Sequence, residues 1–375
     1  MVKRFFVLSL LLNVLLNLAH PVTPTIIYDS GVGSYMFGVA YACMAIGQLV
    51  SSTFWGRLAN KYGDIFVICL GLIVYCCGQY GFYLSHTVIT IIIVRLLSGI
   101  GAGAFMVSTV SYLAKISGDD KAKNLTFHTA VTVIASTLGY LFGGILGDIS
   151  VKLVFVIQVV GVLIDLVLMK ALLIDKVECV LDIKHEATKV VKQRLSPQIF
   201  LLNVLVITTM VASTCYDQSF NYYLKDVIGF SPSGNGYLKA FVGVAAFGAA
   251  TLFSKKQKKD HERTYLKNFY IFCMILVLGL AIVHQIVLFL SINTIFFIIN
   301  GLILPLLQVV FLESSNSKNY SEVSGMFNVC KSLGMIIGAL VAGFGYELTS
   351  VLPFIIAGMA YLMCFIVLSS LRKGV

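Results

Sequence analysis

Apolar runs of membrane-crossing length, separated by short polar breaks, dominate the pattern of this 375-residue chain. A helix needs roughly 20 mostly apolar residues to cross a bilayer. The pattern predicts twelve such helices, over 5–27, 33–54, 65–84, 87–113, 124–147, 151–174, 198–224, 234–254, 266–284, 287–312, 322–346 and 350–371. Only His284 and Gln285 mark the break between the ninth and tenth. One long polar connection, 175–197, mixes both charge signs, ends at Ser196-Pro197 and divides six spans from six. The expected organisation is a bundle over 1–174, a linker over 175–197 and a second bundle over 198–375. The linker reads as solvated; Val177, Val180, Leu181 and Val190 could also give it an apolar face for lying on a membrane surface.

Composition agrees with the pattern. Apolar residues make up 58% of the chain and charged residues 12%, where a soluble domain carries roughly a quarter charged residues. Such an excess is too large for one soluble core, so the fold class is an all-α polytopic membrane protein. The net charge of +10 does not point to nucleic acid, because the cations fall in the breaks between apolar runs. With both termini on the cytoplasmic side, 23 of the 27 Lys and Arg residues lie on that side. Lys152, Lys225 and Lys239 lie on the other, and Arg95, within span four, is counted with neither side. This bias is the positive-inside rule. It predicts a multi-pass protein of the cell membrane with cytoplasmic termini. The first run imitates a signal peptide after Met1-Val2-Lys3-Arg4, but Asn13, Asn17 and His20 interrupt it, so an uncleaved span is expected.

The chemistry-bearing residues exclude more than they suggest. The nine cysteines show no metal-type spacing and read as small buried hydrophobes. No cofactor or metal is expected. There is no phosphate-binding glycine-lysine loop for ATP drive, no nucleophile-base pair and no filter sequence, which leaves a membrane enzyme or a channel as remote alternatives. An internal repeat is plainer. Ser136-Thr137-Leu138-Gly139-Tyr140-Leu141-Phe142-Gly143-Gly144 in span five matches Lys331-Ser332-Leu333-Gly334-Met335-Ile336-Ile337-Gly338-Ala339 in span eleven, 195 positions later. Both carry small residues four apart, which lets helix backbones approach closely in lipid. Span four has its own small face: Arg95, Gly99 and Gly103 stand at i, i+4 and i+8, on one helix side. An arginine at mid-bilayer costs about 2.5–3.5 kcal/mol on insertion scales, so Arg95 must face the protein interior or water.

Between spans two and three runs Gly56-Arg57-Leu58-Ala59-Asn60-Lys61-Tyr62-Gly63. It resembles the signature turn of the major facilitator superfamily, in which a glycine, a leucine, an acid, a cation and a second glycine follow in order. Asn60 stands where the family usually has aspartate, and Asp64 where it favours a base. Three further segments carry the resemblance: Arg95 to Gly103, Gly139 to Gly144 followed by Asp148, and Pro21-Val22-Thr23-Pro24 followed by Asp29. Tyr140 replaces a proline of the antiporter pattern. The chain is most similar to the drug:proton antiporters of that superfamily, including bacterial multidrug exporters.

The resemblance implies twelve transmembrane helices in two six-helix bundles that rock about a central site. It implies that Gly56, Arg57, Asn60, Lys61 and Gly63 form a conformational turn, in which the family's acid meets the start of span eleven and locks the halves. Spans one, four, seven and ten would line the cavity. They offer polar faces of Asn13, Asn17 and His20, then Ser213, Asp217 and Asn221 beside Tyr216, then Asn300 and Gln308; of these Asn13, Asn17, His20, Tyr216, Asn221, Asn300 and Gln308 are the substrate-binding candidates. Each lone amide has the alternative of a helix-to-helix hydrogen bond. Asp217 matches an acid of related exporters in span seven; with Arg95 it is the candidate for proton coupling. Those exporters often carry a second acid in span ten, and this span has none before Glu313. Asp165 in span six is a weaker candidate, expected to pair with a cation. His20 and His128 read as satisfied polar residues. Gly139, Gly143, Gly144, Gly334 and Gly338 are the helix-packing candidates. The implied activity is proton-coupled efflux of an amphiphilic or cationic small molecule by a functional monomer in lipid, without nucleic acid. The alternative is transport of one metabolite, such as a sugar, peptide or metal chelator.

Overall fold

The computed structural model describes residues 1–174, 197–256, 261–280, 282, 283, 285–314 and 320–371. The linker expected over 175–197 therefore lies outside the described residues, save for Pro197. Thirteen α-helices and one short 3₁₀ turn account for the regular structure, and no strand occurs among the described residues. They are α1 (Val2–Asn17), α2 (Thr23–Asp29), α3 (Met36–Tyr62), α4 (Asp64–Tyr83), α5 (Val88–Ile116), α6 (Lys121–Ile149), α7 (Val151–Leu172), α8 (Pro197–Asp226), α9 (Pro232–Lys256), α10 (Glu262–Leu280), α11 (Ile286–Ser314), α12 (Tyr320–Leu348) and α13 (Leu352–Ser370). Eleven of them, α3 to α13, are long and apolar enough to cross a membrane.

The first apolar run differs from its expected single helix. It is divided between α1 and α2 by a turn over residues 18–22. Pro21 and Pro24 supply no backbone N–H, so a continuous helical ladder cannot form through them. A break inside an apolar layer frees backbone carbonyls that must find other donors. Neighbouring helices provide them. Gln158 Nε2 on α7 donates to the carbonyls of Leu15 at 3.0 Å and Leu16 at 3.2 Å. The Tyr75 hydroxyl on α4 donates to Leu16 at 3.3 Å and itself accepts from Gln79 Nε2 at 2.6 Å. Gln158→Leu should therefore destabilise the protein by about 1–2 kcal/mol, since it removes two interhelical hydrogen bonds, each worth about 0.6 kcal/mol on average in a membrane protein, and leaves buried carbonyls without those donors. Thermal unfolding in detergent measures this; a melting temperature equal to that of the unaltered protein would mean the carbonyls find other donors.

The chain divides into two compact units, Met1–Lys184 with Asn221–Gly243, and His185–Phe220 with Val244–Val375. In the first unit, α5 packs closely on both α3 and α4 because glycines let the backbones meet. A β-carbon on Gly99 would collide with the Met44 carbonyl of α3, and one on Gly103 would lie 3.0 Å from that of Gln48. One on Gly101 would strike the α4 backbone at Tyr75. Trp55 adds a hydrogen bond from its indole Nε1 to the Ile100 carbonyl at 2.8 Å. The same unit seats α6 on the end of α1: Gly139 meets Val14 and Asn17, and Gly143 meets the Leu18 backbone. Gly144 faces the opposite way, against Pro232 and Gly236 at the start of α9. There Asp148 accepts from the Ser233 backbone N–H at 3.1 Å and the Ser231 hydroxyl at 3.3 Å, an acid at a helix N-terminus.

The second unit repeats the first unit's central contact. Gly334 of α12 meets the Ile207 carbonyl of α8, and Gly338 meets the Val211 backbone. These are the counterparts of Gly139 on Val14 and Gly143 on Leu18. A tyrosine pair follows the same offset: Tyr75 bonds to Leu16, and Tyr270, 195 positions on, bonds through its hydroxyl to Thr209 Oγ1 at 2.7 Å. The repeat in the glycines thus extends to hydrogen bonds. One feature is not repeated: α8 is continuous where the first run breaks.

Candidate functional site

The signature segment is mostly helix. α3 runs through Gly56, Arg57, Asn60 and Lys61 to Tyr62, and α4 begins at Asp64. Gly63 alone makes the reversal, with φ at +96°, a conformation that favours glycine. Arg57, Asn60 and Lys61 are exposed, while Ala59 packs with Trp55, Val67 and Ala104. The acid at position 64 is buried, and Lys115 Nζ at the end of α5 lies 2.7 Å from its Oδ2. The departure from the family's pattern is therefore answered by an ion pair within the first unit.

Arg95 is buried in the first unit, with its guanidinium 3.5 Å from the ring centroid of Phe82. A cation over an aromatic face is stabilised by the ring quadrupole. Among the described residues no carboxylate pairs with it. Asn13 and Asn17 bond along their own helix, to the carbonyls of Ser9 and Asn13, each at 2.7 Å. Ser9 in turn is hydrogen-bonded to His128 Nε2 at 3.0 Å. His20 falls in the turn after α1, so it leaves the helical register of Asn13 and Asn17. It is exposed and stacks on Tyr140, ring centroids 5.3 Å apart.

The second unit gathers an aromatic and amide cluster. Tyr216 of α8 is fully buried among Phe220, Phe296, Phe297 and Phe354. Its hydroxyl donates to Asn293 Oδ1. Asn300, one helix face along α11, donates to Ser213 Oγ at 2.8 Å and accepts from the Tyr361 hydroxyl at 2.9 Å. Ser213 and Asp217 stand one turn apart on α8, so Asp217 extends this polar line, half-buried. Asn221 is a further turn along, where α8 enters the segment grouped with the first unit. Gln308 is exposed on α11. The structure thus joins Tyr216 and Asn300 to interhelical hydrogen bonds. Asn293, Tyr361, Gln158 and Tyr75 belong to such bonds and escaped the sequence reading. The available signals were the seven-residue spacing of Asn293 and Asn300, and the tyrosine offset.

The sequence profile of the Major Facilitator Superfamily matches residues 5–339. The chain belongs to the major facilitator superfamily. It is a small-molecule transporter embedded in a membrane by many helices, not an enzyme. The quinolone resistance protein NorA of Staphylococcus aureus (strain COL) is 26% identical over 358 residues, covering 91% of this chain and 89% of that protein. Multidrug resistance protein 1 of Bacillus subtilis (strain 168) is 24% identical, covering 95% and 94%. Among solved structures, the nucleoside transporter NupG superposes with a TM-score of 0.81 at 12% identity, over 100% of this chain and 99% of that one. At that identity the likeness concerns the fold of this superfamily member alone.

Proposed function

We propose that this transporter exports amphiphilic or cationic small molecules in exchange for protons, by alternating access, as a monomer in the cell membrane with both termini cytoplasmic. The observation that carries the reading is similarity, over nine-tenths of the chain, to proteins named for quinolone and multidrug resistance. In this reading 1–174 and 198–375 are the two bundles, 175–197 is the linker, and the cation bias sets the orientation. Asp217 takes up and releases the coupling proton, and Arg95 is the fixed charge that tunes the exchange. The aromatic surroundings of Tyr216 suit flat, apolar cations. Asn13, Asn17, His20, Asn221, Asn300 and Gln308 supply polar contacts. Gly56, Arg57, Asn60, Lys61 and Gly63 act in gating, and the glycines of α6 and α12 hold the helix packing.

The test uses proteoliposomes holding the full chain, a pH-sensitive dye, and a panel of quinolones and lipophilic dyes. Several panel members should drive proton movement, and Asp217→Asn should abolish it while leaving the melting temperature unchanged. Proton movement that persists in Asp217→Asn removes the assigned role. A response to one compound class only would favour the single-metabolite alternative.

A further inference from the structure

The buried stripe of α7 contains Val154, Phe155, Gln158, Val162, Asp165 and Met169. Its spacing is helical, and α7 packs against α1, α4 and α6. Gln158 is engaged with the Leu15 and Leu16 carbonyls, and Gly161 meets the Leu15 side chain. One turn beyond Gly161, Asp165 is 0% exposed, and neither carboxylate oxygen has a hydrogen-bond partner among the described residues.

The cation expected to pair with Asp165 is absent from the described residues around it. On α1, Lys3 and Arg4 are exposed. On α4, Asp64 is taken by Lys115, the Tyr75 hydroxyl by Leu16, and the Cys76 thiol lies 3.9 Å from the Val159 carbonyl. On α6, His128 is bonded to Ser9, and Lys123 is exposed near Asp120. On α7 itself, Lys152 and Lys170 are exposed. A bare carboxylate in such a place has neither a counter-ion nor donors to replace its water. A proton on one carboxylate oxygen removes the charge.

We infer that Asp165 is a second proton-carrying group, in the first unit, that holds a proton in the arrangement seen here and gives it up when the packing of α1 on α7 loosens. The broken first run makes that loosening specific: the stripe carrying Asp165 is held to α1 by Gln158, at the carbonyls beside the break. The step is an acid–base exchange only. Water on one side supplies the proton, the O–H bond at Asp165 breaks on opening, and the proton leaves to water. The inference rests on the proton-coupled reading but has a readout of its own.

Infrared difference spectra of the reconstituted full chain, recorded between acid and alkaline buffer, detect the carbonyl stretch of a protonated carboxyl group. The expected result is a titrating band that disappears in Asp165→Asn and moves in frequency in Asp165→Glu. Transport by Asp165→Asn should show a lower proton-to-substrate ratio, whereas Asp217→Asn should lose proton movement altogether. An Asp165→Asn protein with the bands and ratio of the unaltered chain overturns the inference. If Asp165→Asn does not fold, an unshifted band in Asp165→Glu overturns it equally. If substrate moves no protons in the unaltered chain, the coupling reading fails alone, and the band still decides whether Asp165 binds a proton.

Discussion

Gly143→Ala should lower the stability of the folded protein by about 3 kcal/mol, at the upper end of the range for overpacking, while Gly248→Ala leaves it unchanged or slightly raised. The two substitutions add the same methyl group to two long apolar helices. At Gly248 nothing lies within 4 Å of the new β-carbon, and alanine is favoured over glycine in a helix by about 1 kcal/mol. At Gly143 the β-carbon falls on the backbone of Leu18. A side chain could rotate away, but a carbonyl can move only with the main chain that carries it, here the turn that closes α1. Gly338→Ala places the β-carbon 2.7 Å from the Val211 carbonyl, so the second unit should lose a comparable but smaller amount. Thermal unfolding of the three variants in one detergent measures the series. Equal melting temperatures for Gly143→Ala and Gly248→Ala would show that α6 can shift off α1 freely.

Lys115→Met should destabilise by about 3 kcal/mol, the lower end for breaking a buried ion pair, because Lys115 keeps 30% of its side chain in contact with solvent. Asp64 has no such relief: its side chain is 1% exposed, and its Oδ1 already lacks a partner among the described residues. Removing the cation leaves an unpaired carboxylate against the first turn of α4. The double variant Lys115→Met with Asp64→Asn should recover most of the loss, since the uncompensated charge is gone. Stability measurements on the four proteins of this cycle isolate the coupling between the two side chains. Additive losses would mean that the pair contributes no coupling energy.

Much of the architecture was legible in the sequence because a bilayer imposes one requirement on every span, and apolar length reports it directly. The glycine repeat was legible for a related reason: close approach of backbones leaves few residue types to choose from. The signature segment was legible as a family mark but not as geometry, because α3 continues through Lys61 and only Gly63 departs from helix. The brace at the broken first run was not legible. Gln158 is a lone amide in an apolar stretch, and its purpose depends on carbonyls more than 140 positions away. Asn300 shows the same difficulty in reverse: the sequence gives an amide facing inward, and three-dimensional packing supplies Ser213 and Tyr361 as its partners. Asp64 is a departure from the family pattern in sequence, and its counter-ion Lys115 stands 51 positions away.

The interruption at residues 18–22 also separates the two copies of the repeat by the way they carry load. An unbroken helix of 30 residues, such as α8, is a rod about 45 Å long, and a push at one end arrives at the other. The corresponding segment of the first copy is a jointed lever. A displacement at its far end is delivered to the elbow, where Gln158, Tyr75 and the glycines of α6 grip the chain. Equivalent pushes on the two copies therefore have different destinations.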